Sequence, residues 1–426
     1  VKTQDSGKNE KGLPVSTGRG AEAVASTADD CPNRGTNARA EGWSGERSGL
    51  AGRRLQTRAA LPLQPGGFVT TSDGRQVVFE SCCCPLCGSS RFTTHRWLPD
   101  RLYGVPGRFR VVRCSDCRHW YLNPRPTAET VLNCYPRHYG PHCSADAPSG
   151  KAPPSLPSVQ DARTAVHERP TTENAPPQPT PTPTVRLLKR VPGLKRLFVW
   201  LTDSGSELVP PVSVWPPKAL ELGCGTGRFA SELQRQGWQV VGVEPSAEAA
   251  SVARSRGLEV HVGPLTDDLF PEKTFDVVFA WMVVEHLHRP VETVRLVRRV
   301  LKPGGWFVFS VPNCGCWESY LFGPYWYAWQ VPTHLQHFRP DTVRRLLQRV
   351  ELECVSVRCQ ANILNWFGSF GLWLSEQRPG GRWGQRLLQF TSNPTLGPQL
   401  ALAPLAKLLA ALGQTGRMTV VARRPA

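Results

Sequence analysis

The chain has 426 residues, 40% hydrophobic and 20% charged, with 38 Gly, 40 Pro, 14 Cys and a formal charge of +17. That length supports two or three domains with a sizeable core, and with no apolar run long enough to span a bilayer a single-pass membrane protein is excluded. The opening residues show no charged-then-apolar leader, so secretion is not expected, and the cysteine spacing points to metal rather than to disulfides.

Residues 1–60 are rich in Gly, Ser, Ala and Arg without an apolar period. They read as a disordered or spurious N-terminal extension. Residues 61–143 carry strand-like runs at 76–79 and 109–113 between cysteine pairs. Cys84-Pro85-Leu86-Cys87-Gly88 and Cys114-Ser115-Asp116-Cys117 are two C-x-x-C knuckles 26 residues apart. Four thiolates on two tight turns can close a tetrahedral site with no open position, so Cys84, Cys87, Cys114 and Cys117 read as ligands of a structural zinc. Cys82 and Cys83 are competing ligands, although Pro85 and Gly88 suit a knuckle built on 84 and 87. Unliganded thiols would leave so short a segment with little core, and a redox role does not need two matched pairs. Residues 144–185 form a Pro-rich linker, where Pro177, Pro179, Pro181 and Pro183 favour an extended solvated chain. Residues 186–215 are a basic connector, amphipathic over 186–201 around Pro192 and Gly193.

From Lys218 the pattern becomes regular. Strands are expected at 219–222, 239–243, 259–262, 275–280 and 306–311. Helices are expected at 228–236, at 247–256 behind Ser246, and at 291–301, the last ended by Lys302-Pro303-Gly304-Gly305. Five alternations of strand and helix predict an α/β fold with a parallel sheet covered on both faces. Asp341 is expected to cap a helix over 342–350, followed by strands at 352–358 and 417–422. Residues 216–360 carry 16 basic and 15 acidic side chains. This near-neutral balance argues against a nucleic-acid partner. The insertion at 361–416 precedes the final segment, 417–426, and the whole tail from 361 carries 7 basic residues and 1 acidic residue. Its Trp366, Phe367, Phe370, Trp373 and Trp383, with many Leu, suit an anionic membrane surface, or else a solvated basic face on core helices. Residues 396–412 can form an amphipathic helix, in which Pro404 and Lys407 argue against a membrane span.

Glu221-Leu222-Gly223-Cys224-Gly225-Thr226-Gly227 follows the first strand of the regular region and opens its first helix. Glycines at 223, 225 and 227 allow a tight turn and close approach to a ligand. Glu244, 21 residues past Gly223, ends the next strand, where an acid can accept hydrogen bonds from ribose hydroxyls. The spacing is G-x-G-x-G, not the G-x-G-x-x-G of a dinucleotide site. With Val241-Gly242-Val243-Glu244-Pro245-Ser246, Phe275-Asp276-Val277-Val278, Glu285-His286-Leu287 and Leu301-Lys302-Pro303-Gly304-Gly305, the sequence resembles the class I S-adenosylmethionine-dependent methyltransferases. The resemblance implies a Rossmann-like seven-stranded sheet whose last strand is antiparallel, with residues 216–360 as the cofactor-binding core. It implies that Glu221, Gly223, Cys224, Gly225 and Gly227 hold the methionine part. Glu244, with Pro245 beside it, would bind the ribose, and the chain near Leu265 would flank the adenine.

Around the second knuckle, Trp120-Tyr121-Leu122-Asn123-Pro124-Arg125-Pro126 with Tyr135 and Tyr139 resembles the zinc-ribbon head of bacterial methyltransferases found among sugar- and cell-surface-modification enzymes. Arg118 stands where those heads have glycine, and the Pro-rich linker departs from their compact arrangement. Together the two resemblances cover about 84–140 and 216–426.

Methyl transfer is an in-line displacement, so alignment of donor and acceptor supplies much of the acceleration, on the order of 7–11 kcal/mol in favourable cases. A general base is needed only for a hydroxyl or carbon acid. His286 follows the fourth strand of the sheet; His334 and His337 follow the fifth, on the same carboxyl edge. These three are the candidate catalytic residues, each with packing as the plain alternative. A metal held by His334 and His337 lacks an evident third ligand. The aromatic stretch with Trp317, Tyr320, Tyr325, Trp326 and Trp329 reads as a wall for an acceptor or as a lid packed on the sheet. The expected activity is methylation of a small-molecule, saccharide or lipid-linked acceptor by a cytoplasmic enzyme, peripheral at the inner membrane face. The alternatives are an RNA methyltransferase, a non-catalytic module that binds the same cofactor, and an NAD-dependent oxidoreductase.

Overall fold

Runs such as Ala219-Leu220-Glu221-Leu222 offer apolar side chains to both faces of a strand, and such strands must be covered on both sides. In the computed structural model, which describes residues 65–136 and 207–426, they join one seven-stranded sheet. Its members are β7 (Lys218–Leu222), β8 (Gln239–Glu244), β9 (Glu259–Val262), β10 (Phe275–Trp281), β11 (Leu301–Pro312), β13 (Glu353–Cys359) and β14 (Arg417–Arg423). The spatial order is β13-β14-β11-β10-β7-β8-β9. β7 to β11 pair in parallel, whereas β14 runs antiparallel between β11 and β13. The expected seven strands with an antiparallel last strand are therefore present. Order reverses between β7 and β10, and the crevice beyond their carboxyl ends is where open α/β sheets bind ligands.

The covering helices begin and end where their sequence signals lie. Arg228–Arg235 buries Ala230 and Leu233. In Ala247–Ser255, Ser246 Oγ accepts the Ala249 N–H at 3.2 Å and caps the first turn. Pro290–Val300 places Pro290 in its first turn and buries Val294, Val297 and Val300. Two expectations are corrected. The helix ends at Val300, just before Lys302-Pro303-Gly304-Gly305 as expected, but the strand starts at Leu301 rather than 306, and these four residues bulge out of β11 between the Leu301 and Trp306 pairings with β10. Asp341 is not the cap of its helix, which spans Pro340–Arg349 with Arg339 at the cap. Pro340 is suited to the first turn, and Thr342 Oγ1 takes the Arg339 N–H at 2.9 Å.

The segment 65–136 folds as a β1 (Phe68–Thr70), β2 (Gln76–Glu80), β6 (Arg125–Pro126) sheet beside β3 (Phe92–Pro99), β4 (Arg108–Cys114) and β5 (Trp120–Leu122). The second sheet gains a fourth strand from outside this segment: β12 (Gln336–His337) pairs antiparallel with β5. Both described stretches lie in one compact unit. Their joint core contains Val77, Phe79, Phe109 and Trp120 together with Cys314, Trp326, Trp329 and Leu335. The aromatic stretch is thus neither a lid on the large sheet nor a single wall. Trp326 and Trp329 are buried and Trp329 stacks on Trp120 at 6.1 Å, while Trp317 and Tyr320 face solvent. Rings of that size buried across a seam contribute more than any ion pair there, since each fully buried large apolar side chain is worth roughly 1.5–3 kcal/mol.

Between β13 and β14 the insertion forms the helices Leu364–Gln377, Arg382–Ser392 and Leu396–Ala411. Among the described residues no helix is long and apolar enough to cross a membrane. The expectations for residues 1–60, for the linker and for the amphipathic stretch at 186–201 lie outside the described residues.

Candidate functional site

β7 ends at Leu222 and the chain turns back at once. The Gly223 N–H donates to the Val243 carbonyl at 2.7 Å, which pins the turn to the neighbouring strand. Gly223 and Gly227 have φ of 63° and 76°, in the left-handed region. A Cβ at Gly223 would stand 2.6 Å from Val283 Cγ2. At Gly227 it would run into Leu258 Cδ1 and stand 3.0 Å from Ala253 Cβ, between the two helices that follow β7 and β8. Gly227→Ala is accordingly expected to lower unfolding free energy by about 2–4 kcal/mol, read by urea denaturation.

Glu244 sits at the end of β8, buried, and closes the loop. The Gly225 N–H donates to its Oε2 at 2.8 Å and the Ser246 N–H to its Oε1 at 2.9 Å. Pro245 lies exposed beside it. Glu221 is buried under the loop, where its Oε2 accepts the Ala230 N–H at 3.1 Å, and burial pushes its carboxyl well above the usual range. Cys224 turns its thiol inward, so that a Cβ at Gly242 would lie 2.6 Å from Sγ; only its backbone can face a ligand. Leu265 packs with Val243 and Phe270 in the core on the same side. The turn thus offers a glycine backbone without Cβ obstruction, a carboxylate and an apolar flank at the switch point, which suits a nucleoside with a charged amino-acid tail.

The next strand over, β10, is followed by a short helical turn, Val284–His286. Met282, just past the end of β10, has φ 55°, and Glu285 three residues on is buried. The Leu335 N–H donates to the Glu285 carbonyl at 2.9 Å, and Gln336 Nε2 donates to the Leu287 carbonyl at 2.9 Å. These bonds bring the His334 segment onto the His286 turn, and the two rings meet edge to face at 4.8 Å. His286 Nδ1 lies 2.9 Å from the Thr333 carbonyl and 2.9 Å from Tyr135 Oη. His334 Nδ1 lies 3.0 Å from the Ala328 carbonyl. A carbonyl can only accept, so both imidazoles carry a proton on Nδ1. Burial holds His334 well below the ordinary histidine range, hence neutral. Glu285 is fully buried, neither of its oxygens has a hydrogen-bond partner among the described residues, and desolvation raises its carboxyl to about 8.

His337 is separated from this pair. It lies on β12, against Trp329 at 5.0 Å, in the seam between the N-terminal segment and the large sheet. Sequence reasoning places His286 and His334 on one edge but passes over Glu285 and Tyr135. The first is legible as the neighbour of His286. The second sits 151 positions away in sequence, and no local pattern announces it.

The four knuckle cysteines converge. Sγ of Cys84 and Cys117 are 3.4 Å apart, those of Cys87 and Cys114 3.5 Å, and all four lie within 4.8 Å of one another. Zinc–thiolate bonds of about 2.3 Å imply tetrahedral sulfur separations of roughly 3.8 Å, so this donor set fits a closed tetrahedral ion. The hydrogen bond from Cys84 holds Cys117 down to about 5 and pushes Cys84 itself upward. Cys82 lies outside the cluster, its N–H bound to Asn123 Oδ1 at 3.2 Å, and Cys83 is not among the four. Arg345 Nη1 donates to the Cys117 carbonyl at 2.7 Å, which anchors the second knuckle to the large domain.

Comparison with known proteins places this site in context. A family described as a methyltransferase domain matches residues 190–357, downstream of the knuckles. The ubiquinone biosynthesis O-methyltransferase of Burkholderia orbicola (strain MC0-3) is 30% identical over 155 residues, covering 33% of this chain and 66% of that protein. The protein of the same name from Aliivibrio fischeri (strain MJ11) is 31% identical over 150 residues, covering 32% and 64%. The chain thus spans just under two thirds of the curated relatives it matches. Geranyl diphosphate C-methyltransferase from Streptomyces coelicolor A3(2) superposes with a TM-score of 0.34 at 16% identity, covering 54% of this chain and 74% of that chain.

Proposed function

We propose that the methyltransferase domain matched over residues 190–357 is of the class I S-adenosylmethionine-dependent kind, and that it transfers a methyl group to a hydroxyl of a small-molecule, saccharide or lipid-linked acceptor. The observation that carries this reading is the Glu244 carboxylate clamped against the Gly223 turn at the switch point, one crevice away from the His286–His334 edge. The O-methyltransferase names of the curated relatives support oxygen as the methylated atom.

Bound S-adenosylmethionine supplies a methyl group on a positively charged sulfur. Glu244 would hold the ribose hydroxyls, the Gly223–Gly227 turn would flank the amino-acid tail, and Leu265 would lie on the side of the base. The acceptor oxygen forms its bond to the methyl carbon as the carbon–sulfur bond breaks, the electron pair stays on sulfur, and the hydroxyl proton leaves to solvent past the His286–His334 edge. Tyr135, whose Oη is 2.9 Å from His286 Nδ1, makes the N-terminal segment part of that edge. Cys84, Cys87, Cys114 and Cys117 hold a structural zinc in this reading, and the zinc-ribbon-like head stiffens the acceptor side rather than taking part in transfer.

Helices of the insertion expose Phe370, Trp373, Trp383 and Leu408 alongside Arg382 and Arg386. That mixture favours a lipid-linked acceptor met at an anionic membrane surface on the cytoplasmic side. The test is calorimetric titration with S-adenosylmethionine and its demethylated product, followed by an acceptor screen of nucleotide sugars and polyprenyl-linked saccharides, with and without anionic vesicles. Micromolar binding of both cofactor forms and methylation of one acceptor, faster on vesicles, is the expected result. Absence of cofactor binding by folded protein would overturn the methyl-transfer reading, and equal rates without vesicles would remove the membrane part.

A further inference from the structure

We propose that Arg417 is the anion-binding residue of the acceptor site, where it holds an oxyanion group, phosphate or carboxylate, of the molecule whose hydroxyl is methylated at the His286–His334 edge. Arg417 opens β14 and pairs with Pro312, the last residue of β11, so it stands at the carboxyl edge of the parallel strands. Its backbone is held from both sides. The Gln360 N–H donates to its carbonyl at 2.9 Å, and the Asn313 N–H donates to the Gly416 carbonyl at 3.0 Å. A Cβ at Gly416 would lie 2.5 Å from both Asn365 Nδ2 and Glu318 Oε1, so only glycine lets the strand start this close to those buried side chains. Arg417 is half-buried, yet among the described residues its guanidinium makes no hydrogen bond and no ion pair, and its nitrogens keep solvent contact. Neighbouring arginines are tied up: Arg339 pairs with Asp341 at 3.2 Å, and Arg345 donates to the Cys117 carbonyl at 2.7 Å.

The groups that feel its charge are Glu285, Glu318 and His334. None of them is a counter-ion. Both carboxyls are buried, and desolvation raises each to about 8, so they are largely protonated at neutral pH. The nearby cation adds to the burial that keeps His334 neutral. A partly desolvated cation without a counter-charge is costly, and a bound oxyanion removes that cost. The guanidinium fork takes phosphate or carboxylate through two parallel hydrogen bonds. Position agrees with this. The cofactor turn follows β7, the His286 turn follows β10, and β11 and β14 come next in the sheet. Donor, acceptor hydroxyl and Arg417 thus fall in line along one edge. β10 and β14 are two strand spacings apart, about 10 Å, which the arginine side chain shortens to the length of one ring bearing a hydroxyl and an oxyanion. The acceptor narrows from any hydroxyl compound to an acid. The methylated hydroxyl rests on the methyl-transfer reading, whereas the anion site does not.

The experiment titrates inorganic diphosphate and, separately, malonate into the full chain by calorimetry, with and without the saturating demethylated cofactor product, at fixed salt. One anion per chain is expected. Arg417→Gln should weaken it at least about tenfold, and Arg417→Lys, which keeps the charge but not the fork, should fall between. Affinity for the cofactor product and urea unfolding are expected to stay at wild-type values in both variants. Arg235→Gln removes a positive charge from an exposed pair with Glu232 and is expected to leave anion affinity unchanged. Preference for diphosphate marks a phosphorylated acceptor, and preference for malonate a carboxylate one. No anion binding, wild-type anion affinity in either folded Arg417 variant, or an equal loss in Arg235→Gln would overturn the inference. Cofactor-product binding without an Arg417-dependent anion would sink the anion site alone, and anion binding at Arg417 without cofactor-product binding would sink the methyl-transfer reading alone.

Discussion

Glu244→Ala is expected to abolish useful cofactor binding while leaving the chain folded. The carboxylate does two things at once: it accepts the Gly225 and Ser246 N–H groups, and it stands where the ribose hydroxyls would lie. Hydrogen bonds to a charged group are worth about 1.5–3 kcal/mol each, so losing a bidentate ribose contact removes about 3–5 kcal/mol. That is roughly a hundred- to a thousandfold or more in affinity, for both S-adenosylmethionine and its demethylated product, since they share the ribose. The freed Gly225 N–H can turn to water at the loop surface, which keeps the cost to stability near about 1–2 kcal/mol. Calorimetry on the variant reads the first effect and urea unfolding the second. Wild-type affinity in a folded variant would remove the ribose assignment. Glu244→Asp should fall between, because the shorter acid can keep one of the two backbone bonds.

Cys114→Ser, or Cys84→Ser, is expected to release zinc and cut turnover far more than cofactor affinity. A serine hydroxyl is a poor zinc ligand at neutral pH, and structural zinc is worth on the order of 10 kcal/mol where a small domain depends on it. The penalty here should be smaller, because the head also buries Val77, Phe79, Phe109 and Leu122. Its consequences still reach the acceptor edge. Leu122 N–H donates to the Leu335 carbonyl at 2.9 Å, His119 Nε2 lies 2.9 Å from Gln336 Oε1, and Tyr135 Oη meets His286. A loosened head therefore frees the segment that carries His334, while the Gly223 turn, on the far side of β10, stays in place. Metal analysis together with separate measurement of cofactor affinity and turnover tests this. Unchanged zinc content would point to other ligands, and equal losses in affinity and turnover would deny the head its role at the acceptor edge.

The parts of this protein that are legible in the amino-acid sequence are those whose chemistry is local. A turn needing left-handed backbone at Gly223 and Gly227, an acid at the end of the following strand, and two C-x-x-C knuckles all lie within a few residues of the elements that use them. The helix at Pro340 departs from its expected cap for a local reason too. Asp341 is a good cap in isolation, but Pro340 before it sets the start of the helix earlier.

Nothing local places the acceptor edge. His334 and His337 are three residues apart, yet one meets His286 and the other is buried against Trp329. The difference is made by β12 pairing with β5 of the head, a strand contributed from more than two hundred positions away. In a strand a shift of one residue exchanges faces, so the side on which each imidazole lies follows from cross-strand register and not from the sequence around it. The same holds for Glu285, whose cost of burial and lack of partners arise only when the 333–337 segment closes over it. Strand rhythm, glycine turns and cysteine spacing determined the fold and the cofactor side. Only tertiary pairing, because hydrogen-bond register and desolvation are properties of packed neighbours, decided which side chains meet where the acceptor would bind.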